Sequence, residues 1–428
     1  MVALEAKDVP GKGRGVVAAR AIGSGETVLA DHPLLLWPQH STAAAFCSHC
    51  LRAFNSLEDN AEEVVPCPTC GQVGFCNAAC AAAAAADPGS HCGAVCRLLA
   101  ACNMTGLSDE QQSVLQLLFR CCSLRAAGAA GDAAAAARLA GIAALAAPPP
   151  LPPQDGSDEA AAAASVSSPI SLRELHGRLS HALAAVGASP AAALSLEEVA
   201  ELLRRDAVNG YGIMAPSAPN GERRIRGTGL YSQASLINHE CLPSVARFDR
   251  FDAPPAPGAP PGANTAVEFR AMHDIPAGEE VCQSYFPLPW SMRERQERCR
   301  EDYAFCCTCP RCQEEATWSE SEWETDEDAG MDEAAAAGEE AAAAGGDGGA
   351  CGHAAHEQQQ QQQGQAAAAE QAVDAGYINI FLLKYVCPRA GCYGTLAPAA
   401  PGADVLECNM CGGRRSEAEF LAELEAAD

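Results

Sequence analysis

Aromatic side chains are scarce in this chain: Phe, Trp and Tyr make up 5% of its 428 residues. These are the residues that bury the most apolar area each, so the core is smaller than the 48% hydrophobic fraction suggests. That fraction is inflated by nearly pure alanine tracts such as Ala81–Ala86 and Ala133–Ala137. Basic residues are also few, 28 against 55 acidic ones, for a net charge of −27. Sixteen of the acids lie between Gln313 and Leu383, where there is no Lys or Arg, so the remainder carries −11. Such a block reads as solvated and disordered. The balance excludes a chain built mainly to grip phosphate backbones. Long apolar runs are missing too. The best candidate, around Leu139–Leu151, is broken by Pro148-Pro149-Pro150 and falls short of the ~18 residues of a membrane span. The opening "MVALEAKDVPGKGRG" has no apolar stretch of the kind a secretory leader carries. No membrane association is expected, and the cytoplasm and/or nucleus is the expected location.

What the chain does have is cysteine, 23 residues of it. In a reducing compartment, clustered cysteines read as metal ligands rather than disulfides. The densest region contains Cys47-x2-Cys50, Cys67-x2-Cys70, Cys76-x3-Cys80 and His91-x4-Cys96. Eight ligands in four pairs suit two tetrahedral zinc ions, and a stretch with so few large apolar side chains needs such staples to fold. Further on, Cys307, Cys309 and Cys312 leave a tetrahedral zinc one ligand short. Cys241 is the candidate for the fourth place, with Cys306 as a spare. Cys387-x4-Cys392 and Cys408-x2-Cys411 have the two-knuckle form of a zinc ribbon. About four zinc ions per chain are therefore expected.

A length of 428 residues calls for two or three domains. Short strands and turns are expected over the first 46 residues and again from Asn209 to Phe286. Between them, Ser108 with Gln111, Ser171 with Glu174, and Ser195 with Glu198 head three runs of leucine at helical spacing. An Ala/Pro linker is expected at about 128–168. A Pro/Gly loop at 253–263 connects two strands, and low-complexity sequence with the Gln358–Gln363 tract fills much of 313–372.

One segment, "SLINHECLPS", ends an apolar run in Asn238, His239, Glu240 and Cys241, a cluster that packing does not require. With "GKGRGV", "NGYGI", "GTGLYSQASLINHECLPS", "RAMHDIPAGEEVCQSYF" and "DYAFCCTCPRC" in this order, the chain resembles the SET-and-MYND family of protein lysine methyltransferases. It is similar to the shorter members, without a C-terminal helical-repeat domain. The resemblance implies an α+β, β-rich fold. A SET domain of short strands is split by a MYND zinc finger and a helical insert, and a cysteine-rich post-SET zinc site and a zinc ribbon follow. The implied boundaries are 1–46 for the first part of the SET domain, 47–96 for the finger and 97–205 for the insert. The SET core follows at 206–288, the post-SET region at 289–313, a linker at 314–376, and the ribbon and tail at 377–428.

In such a finger the pairs interleave: Cys47, Cys50, Cys76 and Cys80 on one ion, and Cys67, Cys70, His91 and Cys96 on the other. Two details depart from the family pattern. Phe75 stands where Tyr is commoner, and the last spacing is one residue longer than usual, which leaves Cys92 as a rival ligand. The resemblance also implies contacts from Lys12, Gly13, Arg14, Asn209, Asn238, His239, Tyr285 and Phe305 to S-adenosylmethionine. Phe305 could equally be a packing residue of the zinc loop. Tyr285 is the first catalytic choice and Tyr303 the second, while Tyr211 and Tyr231 read as structural. A tyrosine suits a narrow channel for lysine, with a flat apolar body and a phenol oxygen to orient the amine. Protein substrates, histone tails among them, are implied, with proline-containing peptides at the finger and a monomeric chain. The other reading is an interaction scaffold with an inactive SET domain, but Asn238, His239, Glu280 and Tyr285 are all present. DNA binding by the finger is not expected. From Cys47 to Cys96 Arg52 faces Glu58, Asp59, Glu62, Glu63 and Asp87.

Overall fold

Two glycines of the early turn, Gly11 and Gly13, sit at φ +75, a backbone region that a β-carbon strains. They let Leu4–Val9 fold back antiparallel on Gly13–Ala18. The structure is a computed structural model that describes residues 3–54, 64–148, 171–216, 224–253, 256, 258–318 and 373–427. Most of the expected low-complexity region and the Gln358–Gln363 tract fall outside these residues, as does the Ala/Pro stretch from 149 on. The described chain divides into two units. The first holds Met1–Asn238, Ser244–Cys282 and Ala397–Ala403, and the second His239–Pro243, Gln283–Leu396 and Asp404–Asp428.

In the first unit, residues 278–281 run beside the glycine-rich strand. Ala18 N donates to Glu279 O at 2.8 Å, Val281 N to Val16 O at 2.8 Å and Gly278 N to Ala18 O at 2.7 Å. Pro33–Pro38, Ile225–Tyr231 and Gly210–Met214 form one antiparallel sheet. Val245–Asp249, Val267–Ala271 and Thr27–Asp31 form another. Their inward residues, among them Val16, Val28, Tyr231, Ile237, Phe269 and Val281, make one apolar core. A second core belongs to the helices. Asp109–Ala129 and Leu196–Asn209 both start with complete capping boxes at Ser108/Gln111 and Ser195/Glu198. Leu172–Ala185 has the Ser171 cap alone. Leucines of all three pack together with Trp37 and Leu35.

Two expectations need correction. Part of the expected Ala/Pro linker is a helix, Ala133–Ala143, and helical residues outnumber strand residues among those described. Alanine has the best intrinsic helix propensity. Asp132 accepts from Ala135 N at 3.0 Å to cap the start, and Ala135 and Ile142 are buried. The β-rich expectation holds for the strand-bearing segments only.

The second unit has less apolar material. One core gathers Cys241, Cys299, Cys307, Cys309, Cys312 and Phe286, with Tyr285, Trp290, Tyr303 and Phe305 packed against it. Another gathers Cys387, Cys392, Cys408, Leu396 and Leu406. The helix Met292–Tyr303 begins at a Ser291/Glu294 capping box and ends at Ala304, whose φ is +57. That turn lets Phe305 N donate to Cys299 O at 3.1 Å. Ala397–Ala403 lies in ribbon sequence but belongs to the first unit. Pro398 O accepts from the buried Arg270 at 3.1 Å, and Gly25, at φ +80, lies so close to Ala400 that a β-carbon there would be 2.2 Å from its carbonyl oxygen.

Candidate active site

Glu280 brings two of the candidate residues of the first unit together. Its carboxylate accepts from Lys12 Nζ at 2.7 Å and from Asn238 Nδ2 at 2.9 Å. Gly15 makes the fit possible, because a β-carbon there would be 2.6 Å from Asn238 Nδ2 and 2.7 Å from Val9 Cγ2. Arg14 Nη2 donates to Ala144 O at 2.7 Å, and Asn209 Nδ2 to Ala146 O at 2.8 Å and Arg205 O at 2.7 Å. Lys12 and Asn238 thus meet on one carboxylate, while Arg14 and Asn209 meet on neighbouring carbonyls at the end of the Ala133–Ala143 helix. Gly13 is exposed on the turn. Tyr211 and Tyr231 donate to Ala234 O at 2.8 Å and Thr265 O at 2.9 Å, as expected of structural tyrosines.

In the second unit the other candidates form one aromatic cluster. The rings of Tyr285 and Tyr303 are 4.8 Å apart, and His239 lies 5.2 Å from Tyr285 and 6.1 Å from Phe305. Phe286 and Trp290, not singled out from the sequence, complete it as a stacked pair at 5.7 Å, with Phe286 5.0 Å from His239. The His239 ring is fixed at both nitrogens. Tyr285 N donates to Nδ1 at 3.1 Å, so Nδ1 carries no proton, and the proton on Nε2 points at Cys241 Sγ, 3.3 Å away. This geometry makes His239 a brace between the Tyr285 main chain and a sulfur rather than a general base.

Four groups of ligand atoms each lie within 4.8 Å of one another: Cys47/Cys50/Cys76/Cys80, Cys67/Cys70/His91/Cys96, Cys241/Cys307/Cys309/Cys312 and Cys387/Cys392/Cys408/Cys411. Cys92 and Cys306 stand outside them. Cys92 starts the Gly93–Ala101 helix with its sulfur near Ser123 Oγ, and Cys306 is exposed. The donor chemistry fits zinc, whose tetrahedral sites take sulfur and imidazole nitrogen. Within the Cys241 group, hydrogen bonding from Cys241 pulls the Cys312 thiol far down, while Cys307 pushes Cys241 far up. Four thiols this close cannot all ionise without a cation among them. At His91, burial followed by the Arg120 charge lowers the imidazole to about 4, leaving it in the neutral form a metal requires.

The surroundings of the Cys241 group carry almost no signal in the sequence. Arg295 Nε donates to Cys241 Sγ at 3.2 Å and Nη2 lies 3.8 Å from Cys312 Sγ. Arg295 also pairs with Glu315, which accepts from Arg311 Nε at 2.6 Å. The only sequence signal was the i, i+4 spacing of Arg311 and Glu315. Nothing links Arg295 to them in linear order.

A family model described as the SET domain matches residues 13–286. A curated Arabidopsis thaliana protein, "Histone-lysine N-methyltransferase ASHR2", is 32% identical over 97% of this chain and 96% of its own. The Gallus gallus "Protein-lysine N-trimethyltransferase SMYD5" is 37% identical over 20% of this chain and 19% of its own. The human "Histone-lysine N-methyltransferase SMYD3" is 34% identical over 22% and 19%.

Proposed function

We propose, from the premise that this chain belongs to the SET-domain family, that it is an S-adenosylmethionine-dependent protein-lysine N-methyltransferase. The observation that carries this reading is the similarity to a histone-lysine N-methyltransferase along nearly the whole of both chains. Histone and other protein lysines are the substrate class. The finer assignment is to the SET-and-MYND group, with a MYND finger over 47–96, a post-SET zinc site and a terminal ribbon. The four ligand groups support about four zinc ions, which brace the loops that carry the site. Proline-containing peptides at the finger, a monomeric state and a cytoplasmic or nuclear location belong to the same proposal.

Lys12, Gly13, Arg14, Asn209, Asn238, His239, Tyr285 and Phe305 hold the methyl donor in this reading. When bound, the donor supplies an electrophilic sulfonium methyl group. The protein's task is to deliver a neutral amine. Lysine, with a pKa of about 10.4, is protonated at neutral pH. Apolar walls disfavour the ammonium form and hold the nitrogen on line. Tyr285 and Tyr303, 4.8 Å apart in an aromatic cluster, provide such walls, with phenol oxygens to orient the amine. His239 holds the Tyr285 main chain in place.

The test uses radiolabelled S-adenosylmethionine with mixed histone and cytosolic protein. The wild type is expected to bind the donor and label protein. Tyr285→Phe, which loses only the hydroxyl, is expected to label it about 100-fold more slowly. A wild type that neither binds the donor nor labels any protein is an interaction scaffold instead. A Tyr285→Phe variant as fast as wild type removes the catalytic role of that residue.

A further inference from the structure

A zinc ion held by four thiolates keeps two net negative charges, and the Cys241 group is buried throughout. Charge in such surroundings requires a partner. Arg295, 1% exposed, is that partner on geometry alone. It presents Nε to Cys241 Sγ at 3.2 Å, while Nη2 reaches towards Cys312 Sγ at 3.8 Å. Glu315 would ordinarily neutralise a buried arginine. Here it is shared with Arg311, itself 4% exposed in its side chain and fixed by a 2.8 Å bond to Leu288 O. Two guanidinium groups on one carboxylate leave one positive charge in excess, and the sulfurs are beside it.

We propose that Arg295 is a positioning residue that holds zinc at Cys241, Cys307, Cys309 and Cys312, and through that site holds the catalytic tyrosines. The inference rests on the proposed zinc at this group. The linkage is continuous within the second unit. Arg295 donates to Cys241, His239 lies against the same sulfur, and the His239 ring accepts from Tyr285 N. Arg295 also stands two turns before Tyr303 on the Met292–Tyr303 helix, so the sulfur contact pins the helix that presents the second tyrosine. N–H···S bonds lower the energy of the thiolate lone pairs, as hydrogen bonds from the surroundings of a metal site generally tune its ligands.

The experiment counts zinc by native mass spectrometry while the full-length chain is titrated with a graded chelator. Wild type, Cys309→Ser, Arg295→Lys and Arg295→Met are compared. Cys309→Ser should lower the zinc count by one and so identify this ion. An unchanged count means the group holds no zinc, and both the reading and the inference resting on it fail. Given a lowered count, Arg295→Met should release that one ion at roughly 10- to 100-fold lower chelator concentration, with the other ions at the wild-type midpoint. Arg295→Lys, which keeps the charge but not the planar fork, should fall between. In the cobalt-loaded protein, the thiolate-to-metal absorption should move to longer wavelength in Arg295→Met and partly return in Arg295→Lys. If Arg295→Met does not fold, the lysine variant decides. A wild-type midpoint and wild-type spectrum in Arg295→Lys then overturn the proposal, as they do when both variants fold and match wild type.

Discussion

Gly15 is crowded by Val9, Asn238 and Glu280, although its neighbours Gly11 and Gly13 face open space. An alanine at 15 would push Asn238 off the carboxylate it shares with Lys12. Gly15→Ala is expected to cost about 1–3 kcal/mol of stability, as overpacking does, and to weaken donor binding about tenfold. Chemical denaturation and calorimetric titration with S-adenosylmethionine would check both, and unaltered binding would remove Asn238 from the donor site. The glycine-rich turn itself was legible, because glycines between two β-prone runs mark a hairpin. Which glycine is sterically obligatory was not, since that depends on a residue more than two hundred positions away. Glu280 stands out in the sequence only by its presence together with Asn238, His239 and Tyr285. Its hold on Lys12 exists only once the 278–281 segment lies beside the Gly13–Ala18 strand.

At the scale of elements, the capped helices were the most legible parts, because a serine cap and the glutamine or glutamate three residues on are a local signal. Ser195→Ala is expected to destabilise the protein by about 1 kcal/mol, since it removes an acceptor for the Glu198 amide; a thermal melt reads this directly. The Ala133–Ala143 helix was misread because alanine-rich sequence running into three prolines looks like a linker. Its burial against the other helices is a tertiary fact. On the Leu196–Asn209 helix, desolvation first and the charge of Glu110 second raise the half-buried Asp206 carboxyl from its ordinary 3.8 to about 7. The folded chain therefore keeps this proton where the unfolded chain loses it. Stability should fall as pH rises from about 4 to 7. Asp206→Asn should flatten that slope and gain about 1–3 kcal/mol at pH 8, measured by urea unfolding across the pH range.

For the whole molecule, the two units differ in what holds them. The first has two large apolar cores besides its metal groups, whereas two cores of the second are built around cysteines. Chelation under reducing conditions is therefore expected to abolish the near-ultraviolet signal of the Tyr285, Trp290 and Tyr303 cluster. Most far-ultraviolet helical signal should survive, carried by Asp109–Ala129 and its partners. Simultaneous loss of both signals would show the first unit to be equally dependent on metal. This division was hidden in composition, because cysteine spacing reports ligands and not how much other core each region has.

The seven residues Ala397–Ala403 carry a consequence for anyone trimming this gene. A cut placed ahead of the ribbon, where the low-complexity stretch invites it, would leave Gly25 facing a void and Arg270 without an acceptor at Pro398. The shortened product would be a catalytic body with a missing plank, and its poor behaviour would say nothing about whether the ribbon takes part in methylation.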